Sequence, residues 1–161
     1  MANSRRRPVK AAPRPTRRRR GELVDGVYRS QYEAGVARAL DKTGHVFGYE
    51  AQTYPLEVTA TRGHRCTDCG LKNILRKTRY TPDFHIDRRG VPLIVETKGK
   101  FTGRDRRIAL AFREQYPDVD YRLCFQRDNL LSKASKTRYT EWCRKHEIVC
   151  HVGPTVPSTW L

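Results

Sequence analysis

Two short strings in this 161-residue chain carry residue types that could cleave a phosphodiester: Pro82-Asp83 and, after twelve intervening residues, Glu96-Thr97-Lys98. In a strand alternate side chains share a face, so Glu96 and Lys98 project together while Leu93, Val95 and Thr97 face the other way. Pairing the 80–86 and 92–98 runs as an antiparallel hairpin brings Asp83 beside Glu96. Two carboxylates converging on one point repel unless a cation sits between them, and hard oxygen donors suit Mg²⁺ or Mn²⁺. A lysine on the same face can orient or deprotonate a water and stabilise charge on a phosphate, which is metal-assisted hydrolysis. A Glu–Lys pair on an exposed strand would mean little. Here it follows the apolar run Leu93-Ile94-Val95, the mark of a strand covered on both faces.

The elements around these residues read as one layered α/β domain. Ser30 and Glu33 form the pattern of a capping box, with Glu33 returning to the Ser30 amide. The helix they open carries Tyr32, Val36, Ala37 and Leu40 on one stripe and ends near Gly44. Residues 46–58 read as extended and broken at Pro55. Residues 59–79 read as an excursion, a knuckle-like hairpin that carries His64, Cys66 and Cys69. A strand over Tyr80–Ile86, a turn at Arg88-Arg89-Gly90 and a strand over Pro92–Lys98 follow. A helix from about Arg104 to Tyr116 is stopped by Pro117. A strand at Tyr121–Phe125, a helix around Thr137–His146 and a strand at Ile148–Val152 complete the pass.

Charge narrows the partner. The chain has 33 Lys+Arg against 17 Asp+Glu, a formal net charge of +16. Residues 1–20 hold nine of the basic residues and no acidic one, leaving +7 for 21–161. The first segment, with Pro8, Pro13 and Pro15 and no aromatic residue, cannot bury enough to fold, and reads as a disordered tail. Its Arg17, Arg18, Arg19 and Arg20 suit an arm that follows phosphates. Residues 21–161 form the single folded domain, with 59–79 as an insertion in it. Mean hydropathy is −0.78, and no apolar run approaches the ~20 residues of a membrane span. The start of the chain has no secretory signal, so the expected location is the cytoplasm. Five cysteines, an odd number, point to a reducing compartment rather than a disulfide framework. A polyanion, nucleic acid first, is the expected partner.

Pro-Asp-x12-Glu-Thr-Lys resembles the core of the PD-(D/E)xK nucleases. The wider string Tyr80-Thr81-Pro82-Asp83-Phe84, Val95-Glu96-Thr97-Lys98-Gly99 and Arg113-Glu114-Gln115-Tyr116-Pro117 resembles the phage endonuclease I family, the Holliday-junction resolvases of T-seven-like phages. The likeness extends to Tyr28–Glu33, Glu141–His146 and Val156–Trp160, in the same order. It implies a restriction-endonuclease-like core, a central mixed sheet flanked by helices, in a domain-swapped homodimer that acts on four-way and branched DNA in the host-cell cytoplasm. It also implies that Asp83 and Glu96 are metal ligands together with the Thr97 carbonyl, and that Lys98 is the catalytic lysine. Glu33 would be a catalytic and metal-binding carboxylate, reaching the site of the other subunit. The residues alone make Glu33 a helix cap, and a carboxylate tied to its cap is less free to meet a metal.

Lys100, Arg104, Arg106 and Arg107, directly after the Glu-Thr-Lys strand, are candidate phosphate contacts. Positive charge at the start of a helix opposes its dipole, a cost DNA would offset. Cys66 and Cys69, with His64, supply three of the four ligands of a structural Zn²⁺ site. Cys143, His146, Cys150 and His151 read as packing of a terminal helix. Two other functions stay open on the sequence: another nuclease of the same core that cuts duplex DNA in repair or transposition, and a non-catalytic nucleic-acid-binding module with a zinc knuckle.

Overall fold

The computed structural model describes residues 23–59 and 75–161. Arg17–Arg20, His64, Cys66 and Cys69 lie outside the described residues.

The chain builds a mixed five-stranded sheet with helices on both faces. In chain order the elements are α1 (Gln31–Thr43), β1 (Phe47–Tyr49), β2 (Tyr54–Thr59), β3 (Leu75–Tyr80), β4 (Phe84–Arg88), β5 (Val91–Lys98), α2 (Gly103–Gln115), β6 (Asp120–Phe125), α3 (Tyr139–Lys145) and β7 (Val149–Val152). The sheet order is β1-β4-β5-β6-β7, while β2 and β3 form a separate two-stranded ribbon. β4 pairs antiparallel with β1 and β5. β5, β6 and β7 run parallel, which requires the α2 and α3 crossovers between them. No helix among the described residues is long and apolar enough to cross a membrane.

β5 is the middle strand and serves two cores. Leu93 and Val95 face α1, packing with Val36, Leu40, Phe84 and Ile86. Ile94 faces α2 and α3, packing with Phe112, Leu123, Phe125 and Trp142. This double burial is what the unbroken Leu-Ile-Val run predicts. The β4–β5 connection is a two-residue turn in which Arg89 (φ 57°) and Gly90 (φ 89°) both take positive φ. That is the hairpin turn whose twist matches the flanking strands. The Asp87 carboxylate accepts the Gly90 amide at 2.6 Å and helps to hold Arg89 in the left-handed region.

Several expected boundaries shift. Pro55 lies inside β2, because β2 has a strand partner on one side only, the kind of position that tolerates a residue without an N–H. The C-terminal part of the 59–79 excursion is strand β3, whose Arg- and Lys-rich sequence is exposed except near Tyr80. The run expected over 80–86 is two strands, since Thr81–Asp83 leaves the ribbon before β4 begins. α2 ends one residue earlier than expected, at Gln115, with Tyr116 as its C-cap, and α3 is trimmed to Tyr139–Lys145. The start of α2 also carries a cap that its row of arginines obscures. The Thr102 hydroxyl accepts the Asp105 amide, and the Asp105 carboxylate accepts the Thr102 amide. An acid in the first turn offsets part of the dipole penalty.

Candidate active site

The C-terminal end of β5 gathers the site. The β4–β5 register sets Phe84 opposite Val95, so Asp83 arrives next to Glu96 and Thr97 just where β4 begins. There the Asp83 side chain does what a further rung of the ladder would do. Its Oδ2 accepts the Thr97 amide at 2.7 Å and the Thr97 hydroxyl at 2.6 Å. The Asp83 amide in turn donates to Glu96 Oε2 at 3.2 Å. Lys98, two residues along the same face, donates its ammonium to Glu96 Oε1. Asp83, Glu96, Thr97 and Lys98 are thus brought together as expected.

Two tyrosines complete the cluster, and sequence reasoning did not single them out. Tyr80, at the end of β3, donates its hydroxyl to Glu96 Oε2 at 2.9 Å, and the Tyr121 hydroxyl lies 3.1 Å from that of Tyr80. Glu96 is only 5% exposed, and a charge so buried is tolerated only when both oxygens have partners. Lys98, Tyr80 and the Asp83 amide supply them. The available signal was the position of Tyr80, three residues before Asp83. Tyr121, on a different strand, had none. His85, on the neighbouring strand, stacks on Tyr54, and burial lowers its pKa, favouring the neutral ring.

The electrostatics mark a site short of positive charge. Burial, with the Glu96 carboxylate beside it, pushes Asp83 up to about 7, although Lys98 and the two Thr97 hydrogen bonds oppose the rise. Burial pulls the Lys98 ammonium down, but Glu96 and Asp83 outweigh it and its net shift is upward. Two carboxylates held against one ammonium, with oxygen the only donor type besides it, form a set that fits a hard divalent cation. Among the described residues no group of three or more His, Cys, Asp or Glu converges on one point, so within one chain Asp83 and Glu96 stand as a pair.

Glu33 is not with them. Ser30 caps α1 by accepting the Glu33 amide at 3.2 Å. The Glu33 carboxylate accepts the Ser30 hydroxyl at 2.7 Å, the Tyr49 hydroxyl at 2.6 Å and the Arg29 amide at 3.0 Å. The expected return bond to the Ser30 amide is displaced by one residue, to Arg29. The capping geometry is real, and it also ties α1 to β1 through Tyr49.

The basic residues after β5 divide. Arg106 is turned back on its own loop, donating to the Phe101 carbonyl at 3.0 Å with its guanidinium 6.0 Å from the Phe101 ring centroid. Lys100 and Arg104 are exposed and Arg107 half-buried. Cys143 is fully buried in the core beneath α3, and His146 packs on Trp142 at 4.4 Å between centroids. The packing reading of that segment therefore holds for both.

A mixed α/β sheet with Asp83, Glu96 and Lys98 gathered at the end of its central strand, in a chain of +16, is the arrangement expected of a nuclease. Comparison with known proteins makes this particular. The model of the family described as Phage endonuclease I matches residues 16–161, and the chain belongs to that family. Among its relatives, Endonuclease I of Escherichia phage T7 is 32% identical over 137 residues, covering 84% of this chain and 79% of the relative. Endodeoxyribonuclease 1 of Enterobacteria phage T3 is 33% identical over 123 residues, covering 76% and 69%.

Proposed function

We propose that this protein is a metal-dependent DNA endonuclease of the PD-(D/E)xK type that resolves four-way and other branched junctions as a domain-swapped homodimer. The single observation that carries the catalytic part is the convergence of Asp83, Glu96 and Lys98 at the end of β5, with Asp83 driven up to about 7. Asp83, Glu96 and the Thr97 carbonyl would hold Mg²⁺ or Mn²⁺, and Glu33 of the partner subunit would add a further carboxylate. Bound there, the cation would supply Lewis-acid stabilisation of the phosphate and a more acidic water.

The chain's own groups do the rest. Tyr80, Lys98 and the Asp83 amide fix the plane of the Glu96 carboxylate, so little reorganisation is needed when substrate arrives. Thr97 fixes the Asp83 rotamer from the other side. Lys98, on the same face as Glu96 and hydrogen-bonded to it, would orient the attacking water or neutralise charge on the phosphate. Basic residues around the site would hold the backbone without reading sequence, as selection for DNA shape requires. A Zn²⁺ at His64, Cys66 and Cys69 would be structural and separate from this chemistry.

The test is cleavage of a synthetic four-way junction and of a linear duplex with the same sequence, each with Mg²⁺ or with chelator. Paired nicks in the junction, only with Mg²⁺, are expected. Equal cutting of both substrates would remove the junction reading, and no Mg²⁺-dependent product would remove the whole proposal.

A further inference from the structure

We infer that the groove between the β2–β3 ribbon and the start of α2 is a second DNA contact, a cleft that grips phosphates a few nucleotides from the cleaved bond. The inference rests on the DNA endonuclease reading and extends it to residues outside the catalytic group. The groove has a volume of about 460 Å³, and Arg76 and Lys77 of β3 face it together with Arg104 and Arg107 of α2. Its floor includes Val58 and Ile108. None of its lining residues is Asp83, Glu96 or Lys98, so it is distinct from the proposed catalytic group.

Three observations point to an anionic occupant. First, none of the four cations forms an ion pair among the described residues. This contrasts with Arg88 and Arg122, which share Asp120. Four like charges around one cleft repel, and folding tolerates that where a polyanion relieves it. Second, the ribbon is held in place from its other strand. The Glu57 amide donates to the Gln115 side chain at 2.9 Å, the Gln115 amide donates back to the Glu57 carbonyl at 2.8 Å, and the Tyr116 hydroxyl donates to the Pro55 carbonyl at 2.7 Å. The two walls are therefore set before any ligand arrives, and little ordering entropy remains to oppose binding.

Third, the spacing suits a nucleic-acid strand. β3 carries Arg76 and Lys77 near its start and ends at Tyr80, the residue that donates to Glu96. Four residues at about 3.3 Å each separate Arg76 from Tyr80 along the strand, about 13 Å. A duplex lying along the ribbon presents one phosphate charge per about 1.7 Å of its axis over that span. A strand whose scissile phosphate sits at Asp83 and Glu96 would carry its neighbouring phosphates across the groove. Arg76 and Lys77 thereby give the ribbon a substrate-binding role beyond linking elements.

The experiment compares the full-length protein with Arg76→Gln/Lys77→Gln, with Arg104→Gln/Arg107→Gln, and with a control of the same charge change on the exposed α3 connector, Lys133→Gln/Lys136→Gln. Binding of a fluorescent four-way junction is followed by anisotropy in chelator, from about 50 to about 300 mM KCl. Each phosphate contact contributes about 0.9 to the slope of log affinity against log salt. Both groove variants should therefore lose about 1.8 from the slope while the control loses little. A ribbon variant whose slope matches the control, in a wild type that binds and cuts DNA, overturns the groove alone. A wild type that neither binds nor cuts overturns the endonuclease reading itself.

Discussion

Asp83 receives two donors from a single residue on a single oxygen: Oδ2 accepts both the amide and the hydroxyl of Thr97, at 2.7 and 2.6 Å. The amide bond supports the strand pairing, whereas the hydroxyl bond can be removed alone. Thr97 is 5% exposed, and Thr97→Val keeps its shape while deleting the donor. With that hydrogen bond gone, the Asp83 carboxyl rises further above its usual range. A proton then competes better with a cation. Thr97→Val should need more Mg²⁺ at pH 7, cleave about 3- to 10-fold more slowly there, and recover near pH 9. Thr97→Ser should behave as wild type. Superimposable pH–rate profiles for all three proteins would count against this role.

The raised Asp83 makes the metal-free site a stability liability with a defined pH window. Its pKa in the fold, about 7, exceeds the ordinary value of 3.8, so the folded state holds its proton more tightly than the unfolded one. Below about pH 4 both states are protonated and nothing is lost. Between pH 4 and 7 the penalty grows, and above 7 it is complete. Asp83→Asn should therefore stabilise the metal-free protein by about 2 kcal/mol at pH 8 and by little at pH 4. Adding Mg²⁺ at pH 8 should raise the melting temperature of wild type and not that of Asp83→Asn. Urea titrations at the two pH values check the first part, and calorimetry checks the second.

Glu33 can be assigned by complementation. Glu33→Gln loses part of the cap and its charge-assisted bond from Tyr49, a loss of about 1 kcal/mol in stability. If Glu33 acts across subunits, a heterodimer of Glu33→Gln with Asp83→Asn contains one intact composite site. Co-expressed with separate tags, it should nick one strand of a junction, whereas either homodimer is inactive. Near-normal cleavage by the Glu33→Gln homodimer would leave Glu33 as a cap only.

Far from the site, Asp120 at the start of β6 joins three pieces of chain. It takes Arg88 at 2.6 Å and Arg122 at 2.8 Å, while Arg88 also donates to the Trp160 carbonyl and Arg122 stacks over the Trp160 ring. Burial opposes its ionisation, but the hydrogen bonds and charges of Arg122 and Arg88 prevail and lower its pKa. The stabilisation is present above its unfolded value of 3.8 and fades as pH falls through the folded one. Asp120→Asn should destabilise by about 1–3 kcal/mol at pH 7 and much less near pH 3, with cleavage unchanged below the melting point.

The sequence made β5 legible because one residue pattern encodes two things at once. Leu93-Ile94-Val95 carries the mark of a doubly covered strand, and in a strand Glu96 and Lys98 share a face. β3 was illegible for the opposite reason. Leu-Arg-Lys-Thr-Arg-Tyr has the look of a solvated loop, and only pairing with β2 makes it a strand. Tyr121 was hidden because its partner Tyr80 lies 41 residues away, a distance that local pattern does not span. Glu33 was ambiguous on the sequence, and its cap is visible in the fold, while the proposed catalytic role would require a second subunit.

The two-sided burial of β5 has a consequence for how this protein can change over generations. Individual apolar residues in the strand can be exchanged for others of similar bulk, since either core accepts volume-conserving swaps. Its length cannot drift in the same way. Deletion of one residue anywhere from Val91 to Val95 would turn the strand by half a period and present Thr97 where Glu96 belongs, and insertion of one would present Val95 there. Diversity in this protein should accumulate by substitution within β5 and by insertion outside it. The segment between β2 and β3 is where added length leaves the register of the carboxylates untouched.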